Sequence, residues 1–159
     1  MDQGYAALVE TILRIALGLR FFSSGLSNVA RWPHAIETAE VVFPRGSYFF
    51  GLVAVALMVL GGAGLTLGYQ TRIAALMVII FLIPTFRVQR VWIRTLPERA
   101  ERVKSALGDE RLKDDLRFLS RHAIHGHESA WKDNAVLLLA ALLFYARGSV
   151  AFGLDNLWK

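Results

Sequence analysis

Glu10 and Arg14 stand four residues apart inside an otherwise apolar stretch from Tyr5 to Gly25, YAALVETILRIALGLRFFSSG. On a helix this spacing puts them on one face, acid first, which in water is worth only tenths of a kcal/mol. Inside a membrane span either charge alone would cost about 2.5–3.5 kcal/mol, so the face carrying both should turn into the protein. A permanently charged guanidinium offers a fork of donors that can hold the oxygen atoms of a ligand. It can equally close a structural ion pair with Glu10, and both readings stay open. The second group with ligand chemistry is His122, His125 and His127, followed by Glu128. Neutral imidazoles suit zinc, copper or iron, and His122 and His125 share a helix face. Gly126 should break a helix there, and no other acid is spaced to support the rings. A solvated interfacial loop is therefore preferred to a metal site. Trp92 and Trp131 flank the charged part of the chain and can wall a pocket at headgroup level, or serve only as interfacial belt residues.

The sequence has no cysteine, which excludes disulfides, thiolate metal sites, iron–sulfur clusters and thiol catalysis by this chain. It has no G-x-G-x-x-G fingerprint, haem-attachment motif or P-loop. No intrinsic cofactor is expected.

What must position these residues is mostly apolar. From Ser47 to Gln70 no side chain is charged, and from Ile73 to Phe86 none is again. The first run meets the roughly 20 residues needed to cross about 30 Å of hydrocarbon. The second does so if it continues into Arg87-Val88-Gln89, and the short Gly68–Arg72 link makes the two an antiparallel hairpin. Gly64 and Gly68 form a small-xxx-small pair that allows close approach of a neighbouring helix. Pro84 should kink or end the second helix of the hairpin. Tyr5 to Gly25 is a further span, in which Arg20 would snorkel to the interface. Ala135 to Ala146 is the last, and it reaches crossing length only if Ala130 to Asn134 joins it. Between the first two spans lies a polar connection holding His34, with a short surface helix expected over Ala35 to Val42.

Residues 87–133 are rich in both signs of charge. Leu96, Ala100, Val103 and Leu107 keep helical spacing until Gly108. Leu112, Leu116, Leu119 and Ala123 resume it after a cap at Asp109. Neither segment can span, so both are predicted to lie on the membrane surface or against a partner. The predicted fold is all-α: one domain over residues 1–159, a four-helix transmembrane bundle with an amphipathic interfacial helical insert, about 93–128, between helices 3 and 4.

The chain has 159 residues, 55% hydrophobic and 19% charged, with a formal net charge of +5. Mean hydropathy is +0.42 and the pI is about 10.0. The basic residues mingle with acids in one loop, which fits an anionic membrane surface and not nucleic acid. Arg31, Arg45, Arg87, Arg90 and Arg94 fall on one side of a four-pass topology, against Arg72, Arg147 and Lys159 on the other. The positive-inside rule then puts the long charged loop in the cytoplasm and both termini outside an inner membrane. No cleavable signal peptide is evident.

The order of several short motifs resembles the DoxX/DoxD-like integral membrane proteins. They are Leu13-Arg14-Ile15-Ala16-Leu17-Gly18 with Phe21 to Ser27, and Gly61-Gly62 through Leu67-Gly68-Tyr69-Gln70-Thr71-Arg72-Ile73-Ala74-Ala75. Thr85-Phe86 with Trp92, Lys132 with Asn134, and Gly153-Leu154-Asp155 follow. The resemblance implies a four-helix membrane protein akin to the small subunit of a thiosulfate:quinone oxidoreductase, though most relatives have no assigned reaction. The chain has Leu57 and Met58 where many relatives carry a glutamate, and Asn28 where a lysine often follows the first helix. Two functions are carried forward. One is an integral membrane subunit of a quinone-linked oxidoreductase complex, related to thiosulfate, sulfur or oxidative-stress chemistry. There Arg14 with Glu10 would hold a quinone carbonyl or a sulfur oxyanion, and electrons would travel on a quinone or a partner protein. The other is a non-catalytic membrane scaffold that docks and stabilises a partner. Whether the chain is itself an enzyme stays open. Its expected partners are the lipid bilayer and a protein partner or a second copy.

Overall fold

The computed structural model describes residues 3–157, so Lys159, counted above in the charge bias, lies outside the described residues. Helix α1 spans Gln3–Ala30, α2 Trp32–Glu40, α3 Ser47–Leu67, α4 Thr71–Ala106 and α5 Glu110–Arg147, with a single 3-10 turn at Leu154–Asn156. The described residues hold no strand. In chain order, α1 packs on α3, α3 on α4 and α4 on α5, and α1 meets α5 only briefly. Leu17 and Phe21, Met58 and Leu65, Ala75, Val78 and Leu82, and Ala141 and Phe144 bring all four long helices into one core.

Small residues set the spacing of that core. A Cβ at Gly18 would stand 2.5 Å from the main-chain nitrogen of Thr66 and 2.7 Å from the carbonyl of Gly62. The backbones of α1 and α3 therefore touch, as small-residue crossings allow in membranes. Gly64 instead abuts α4, its Cβ position 2.7 Å from that of Ala74. Gly68 lies past the end of α3 at φ +63°. There the Tyr69 amide donates to the Gly64 carbonyl at 2.9 Å and the Gly68 amide to Leu65 at 3.2 Å, the Schellman closure that favours glycine. Gly64 and Gly68 thus serve the α3–α4 hairpin of this chain, and the tightest crossing falls on Gly18 and Gly62.

The insert differs from expectation. Helix α4 runs unbroken through Pro84 and Pro97 for 36 residues, and α5 through Gly126 for 38. At 1.5 Å per residue the two are about 54 and 57 Å long, well beyond a hydrocarbon layer of about 30 Å. The charged region is therefore not a pair of helices lying flat. It is the distal half of an antiparallel hairpin that continues both helices out of the apolar zone. Each proline removes one main-chain bond, and packing against α5 outweighs that local loss. Gly126 meets nothing within 4 Å at its Cβ position, so its cost is one flexible residue among good helix formers. The turn itself falls where Gly108 places it, and the Asp109 side chain caps α5 by accepting from the Arg111 amide at 2.8 Å. Helix α2 starts earlier than expected, at Trp32, because Pro33 sits in its first turn, where a missing N–H breaks nothing.

The exterior of the bundle is apolar. Ile83 is 60% exposed and Leu139 68%, while Arg14 in the interior is 2% exposed. Among the described residues, α3 and α4 are each long and apolar enough to cross a membrane. Helix α1 carries Glu10, Arg14 and Arg20, and the apolar half of α5 is short, so neither does so on composition alone.

Candidate functional site

Helix α1 carries Arg14 to the C-terminal end of α3, where the last carbonyls of a helix have no intrahelical partner and its dipole is negative. Nη1 of Arg14 donates to the Leu65 carbonyl and, at 3.3 Å, to that of Thr66. Nη2 donates to the Phe152 carbonyl at 3.0 Å. The expected Glu10–Arg14 pair does not form. One turn nearer the chain start, Glu10 meets the end of α5, and its Oε2 lies 3.4 Å from Nη2 of Arg147. Its other oxygen, Oε1, is buried without a partner among the described residues. Both terminal nitrogens of Arg14 are thereby committed to main-chain carbonyls, which makes it a residue that positions α1, α3 and the tail.

That tail folds across the α3–α4 turn. Gln70 has φ +46° and no side chain of its own capping α4. Asp155 supplies the cap from the far end of the chain. Its two carboxylate oxygens accept from the amides of Gln70 at 2.6 Å and Thr71 at 2.9 Å, and its own amide donates to the Gly68 carbonyl at 2.8 Å. Thr11 donates to the Ala151 carbonyl at 3.2 Å, tying the tail to α1 as well.

A second group lies at the other edge of the apolar zone, along the α4–α5 seam. Asn134 donates to the Thr85 hydroxyl at 3.0 Å. One turn on, His127 Nδ1 lies 2.7 Å from Oε1 of Gln89. Trp92 follows, its ring centroid 4.6 Å from that of His127 and 6.3 Å from that of His34 on α2. Trp131 packs edge-on against Phe86 at 5.7 Å, so the two tryptophans lie on one seam but have different neighbours. With Oε1 of Gln89 as acceptor, the imidazole donates through Nδ1 and keeps Nε2 as an acceptor. The Gln89 amide then remains a donor. Burial pushes the pKa of His127 below its ordinary 6.5, so the ring is neutral at pH 7.

The three histidines do not converge. His122 Nδ1 lies 2.9 Å from the Phe118 carbonyl, His125 faces Glu128 at 3.3 Å, and His127 faces Gln89. Because α5 is continuous through Gly126, the offset of two residues between His125 and His127 turns their rings to different sides. Sequence reasoning missed Asp155 as the cap of α4, and Gln89 and Thr85 on the seam. The signal for Asp155 was a helix start with no Ser, Thr, Asp or Asn ahead of it. Thr85 and Gln89 precede Trp92 at helical spacing.

A polar stripe also marks the outside of α1. Arg20, Ser23, Ser24, Ser27, Asn28 and Arg31 recur at helical spacing and line a groove of about 390 Å³. Arg20 donates to Ser24 at 3.3 Å, and Arg31 donates to Ser27.

A family model described as DoxX matches residues 9–90, just over half of the chain. The match runs from α1 to the Gln89–Arg90 turn of α4 and stops short of the distal hairpin. No curated protein and no solved structure matches the chain.

Proposed function

The chain belongs to the DoxX family of membrane proteins, and from that premise we propose that it is an integral membrane subunit of a quinone-linked oxidoreductase complex. The observation that carries this reading is the polar stripe on α1. Beside the exposed leucines, isoleucines, valines and aromatic residues of the apolar zone, Arg20 and three serines would face lipid unless a neighbouring protein covers them. All four long helices cross the bilayer in this reading, with the distal α4–α5 hairpin in the cytoplasm and both termini outside an inner membrane.

The seam pair suits a quinone headgroup. Gln89 would donate to a carbonyl oxygen, Nε2 of His127 would accept from a hydroxyl, and Trp92 would lie against the ring. A quinone supplies the carriage of two electrons and two protons, and a partner subunit supplies the electron donor. His127, neutral at pH 7, can accept a proton at Nε2 and release it to water beyond the seam, while Gln89 holds the ring through Nδ1. Arg14 is not assigned to the ligand, because its terminal nitrogens already hold main-chain carbonyls.

The second reading, a scaffold without a reaction of its own, is favoured by the length of the distal hairpin and by the exposure of Leu112, Phe118 and Leu119 near its tip. One experiment separates the two. His127→Leu and Arg20→Leu are expressed in the native membrane, and complex abundance and quinone reduction are measured together. Lost reduction with a normal amount of complex in His127→Leu supports the redox subunit. Unchanged reduction in His127→Leu, with loss of the complex only in Arg20→Leu, leaves the scaffold.

A further inference from the structure

Next to the tail lies a cleft that neither the redox nor the scaffold reading uses. It is an open space of about 430 Å³ lined by Gln70, Thr71, Arg72, Ile73, Arg147, Gly148, Ser149 and Asp155. Its two cations come from the first turn of α4 and the last turn of α5, so they sit at one level, at the edge of the apolar zone. Gly148, at φ +73°, brings the chain beneath Arg72, and a Cβ there would stand 3.4 Å from Nε of Arg72. The side chain thus lies along the wall of the cleft.

Two cations and two carboxylates stand in and around this space, but they are not paired one to one. Glu10 faces Arg147, and Asp155 accepts two amides of the α4 start. Arg72 makes no ion pair among the described residues. Thr71, fully buried in the same wall, has a hydroxyl without a partner among the described residues. Two guanidinium groups and a hydroxyl around a cleft of this size match the oxygens of a phosphate group, which arginine binds through paired N–H donors. At the edge of an apolar bundle, phosphate arrives most readily as the headgroup of a phospholipid whose chains lie along Ile73 and the outer face of α5.

We propose that the Arg72–Arg147 cleft is a binding site for an anionic phosphate group, held by Arg72, Arg147 and Thr71, and filled by a phospholipid headgroup. The site goes beyond the proposed redox function and needs only that the bundle sit in a membrane, so either idea can fail alone.

The test uses the full chain, delipidated in a mild non-ionic detergent and titrated separately with short-chain phosphatidylglycerol, short-chain phosphatidylcholine and inorganic phosphate. Binding is read by native mass spectrometry and by thermal unfolding. Arg72→Gln changes an exposed side chain outside the core, and Thr71→Val removes only the hydroxyl. The expected result is saturable binding of phosphatidylglycerol, weaker binding of phosphatidylcholine, and an affinity lowered about tenfold or more by Arg72→Gln, the loss of one charge-assisted contact. Inorganic phosphate competing at the same residues while both lipids fail would keep the phosphate site and overturn its lipid source. Phosphatidylglycerol binding that is unaltered in both variants, with helical content intact, would overturn the site.

Discussion

Asp155→Ala should loosen the terminal side of the bundle without touching its apolar core. The carboxylate accepts the two amides that open α4, at 2.6 and 2.9 Å, on a helix that has no cap of its own. Removing a capping side chain costs about 0.5–2 kcal/mol. Taking a negative charge from a helix N-terminus costs about 0.3–1 kcal/mol more. The two effects overlap, so a loss of about 2 kcal/mol is expected, a factor of about 30 in the unfolding equilibrium. For a chain of this length that corresponds to a fall in Tm of about 4–8 °C. Asp155→Asn keeps one acceptor oxygen and should lose about half as much. The assay is tryptophan fluorescence during heating in detergent, paired with hydrogen exchange at Gln70 and Thr71, whose amides should exchange faster in Asp155→Ala. A Tm within about 1 °C of wild type would refute the reasoning, because the tail would then be resting on the α3–α4 turn without holding it.

Two glycines should respond in opposite directions. Gly18→Ala drives a methyl group into the main chain of α3 and should cost about 1–3 kcal/mol, measured as a lower midpoint of detergent unfolding. Gly126→Ala meets open space within a helix and should gain about 0.5–1 kcal/mol, and a loss there would show that α5 is broken at that point. His127 should give stability a pH dependence. Its folded pKa lies below its ordinary 6.5, so the unfolded chain binds the extra proton first as pH falls. Stability should therefore drop from about pH 6.5 downward and level off below the folded pKa. His127→Gln should flatten that slope in a series of Tm measurements, and an identical slope in the variant would rule out burial of the ring.

Much of the helical layout was legible in the sequence, because long uncharged runs bounded by Gly and charge leave few alternatives. The turns at Gly68 and Gly108 and the cap at Asp109 fall where local chemistry puts them. Pro84 and Gly126 read locally as breakers because their own preferences are unfavourable. Those preferences amount to a few kcal/mol at most, and pairing along the α4–α5 seam overrides them. Arg14 was visible as an inward-facing charge, but its partners were not. Helical spacing proposes Glu10, whereas the acceptors that win are carbonyls more than fifty residues away, set by how α1 crosses α3. Gly18 and Gly62 escaped for the same reason, since no local pattern says which of many glycines faces which helix. The histidine cluster was a property of sequence proximity alone, and a continuous helix disperses it.

The Arg14–Phe152 bond ties α1, and the Gln70–Asp155 bond ties the α3–α4 turn, to the segment that follows α5. A chain that stops short of Phe152 leaves one guanidinium nitrogen in oil with nothing to bind, and two amides of α4 exposed beside it. The segment after α5 is thus a structural requirement of the native state, and a copy that lacks it carries bare polar groups that a membrane protease can read.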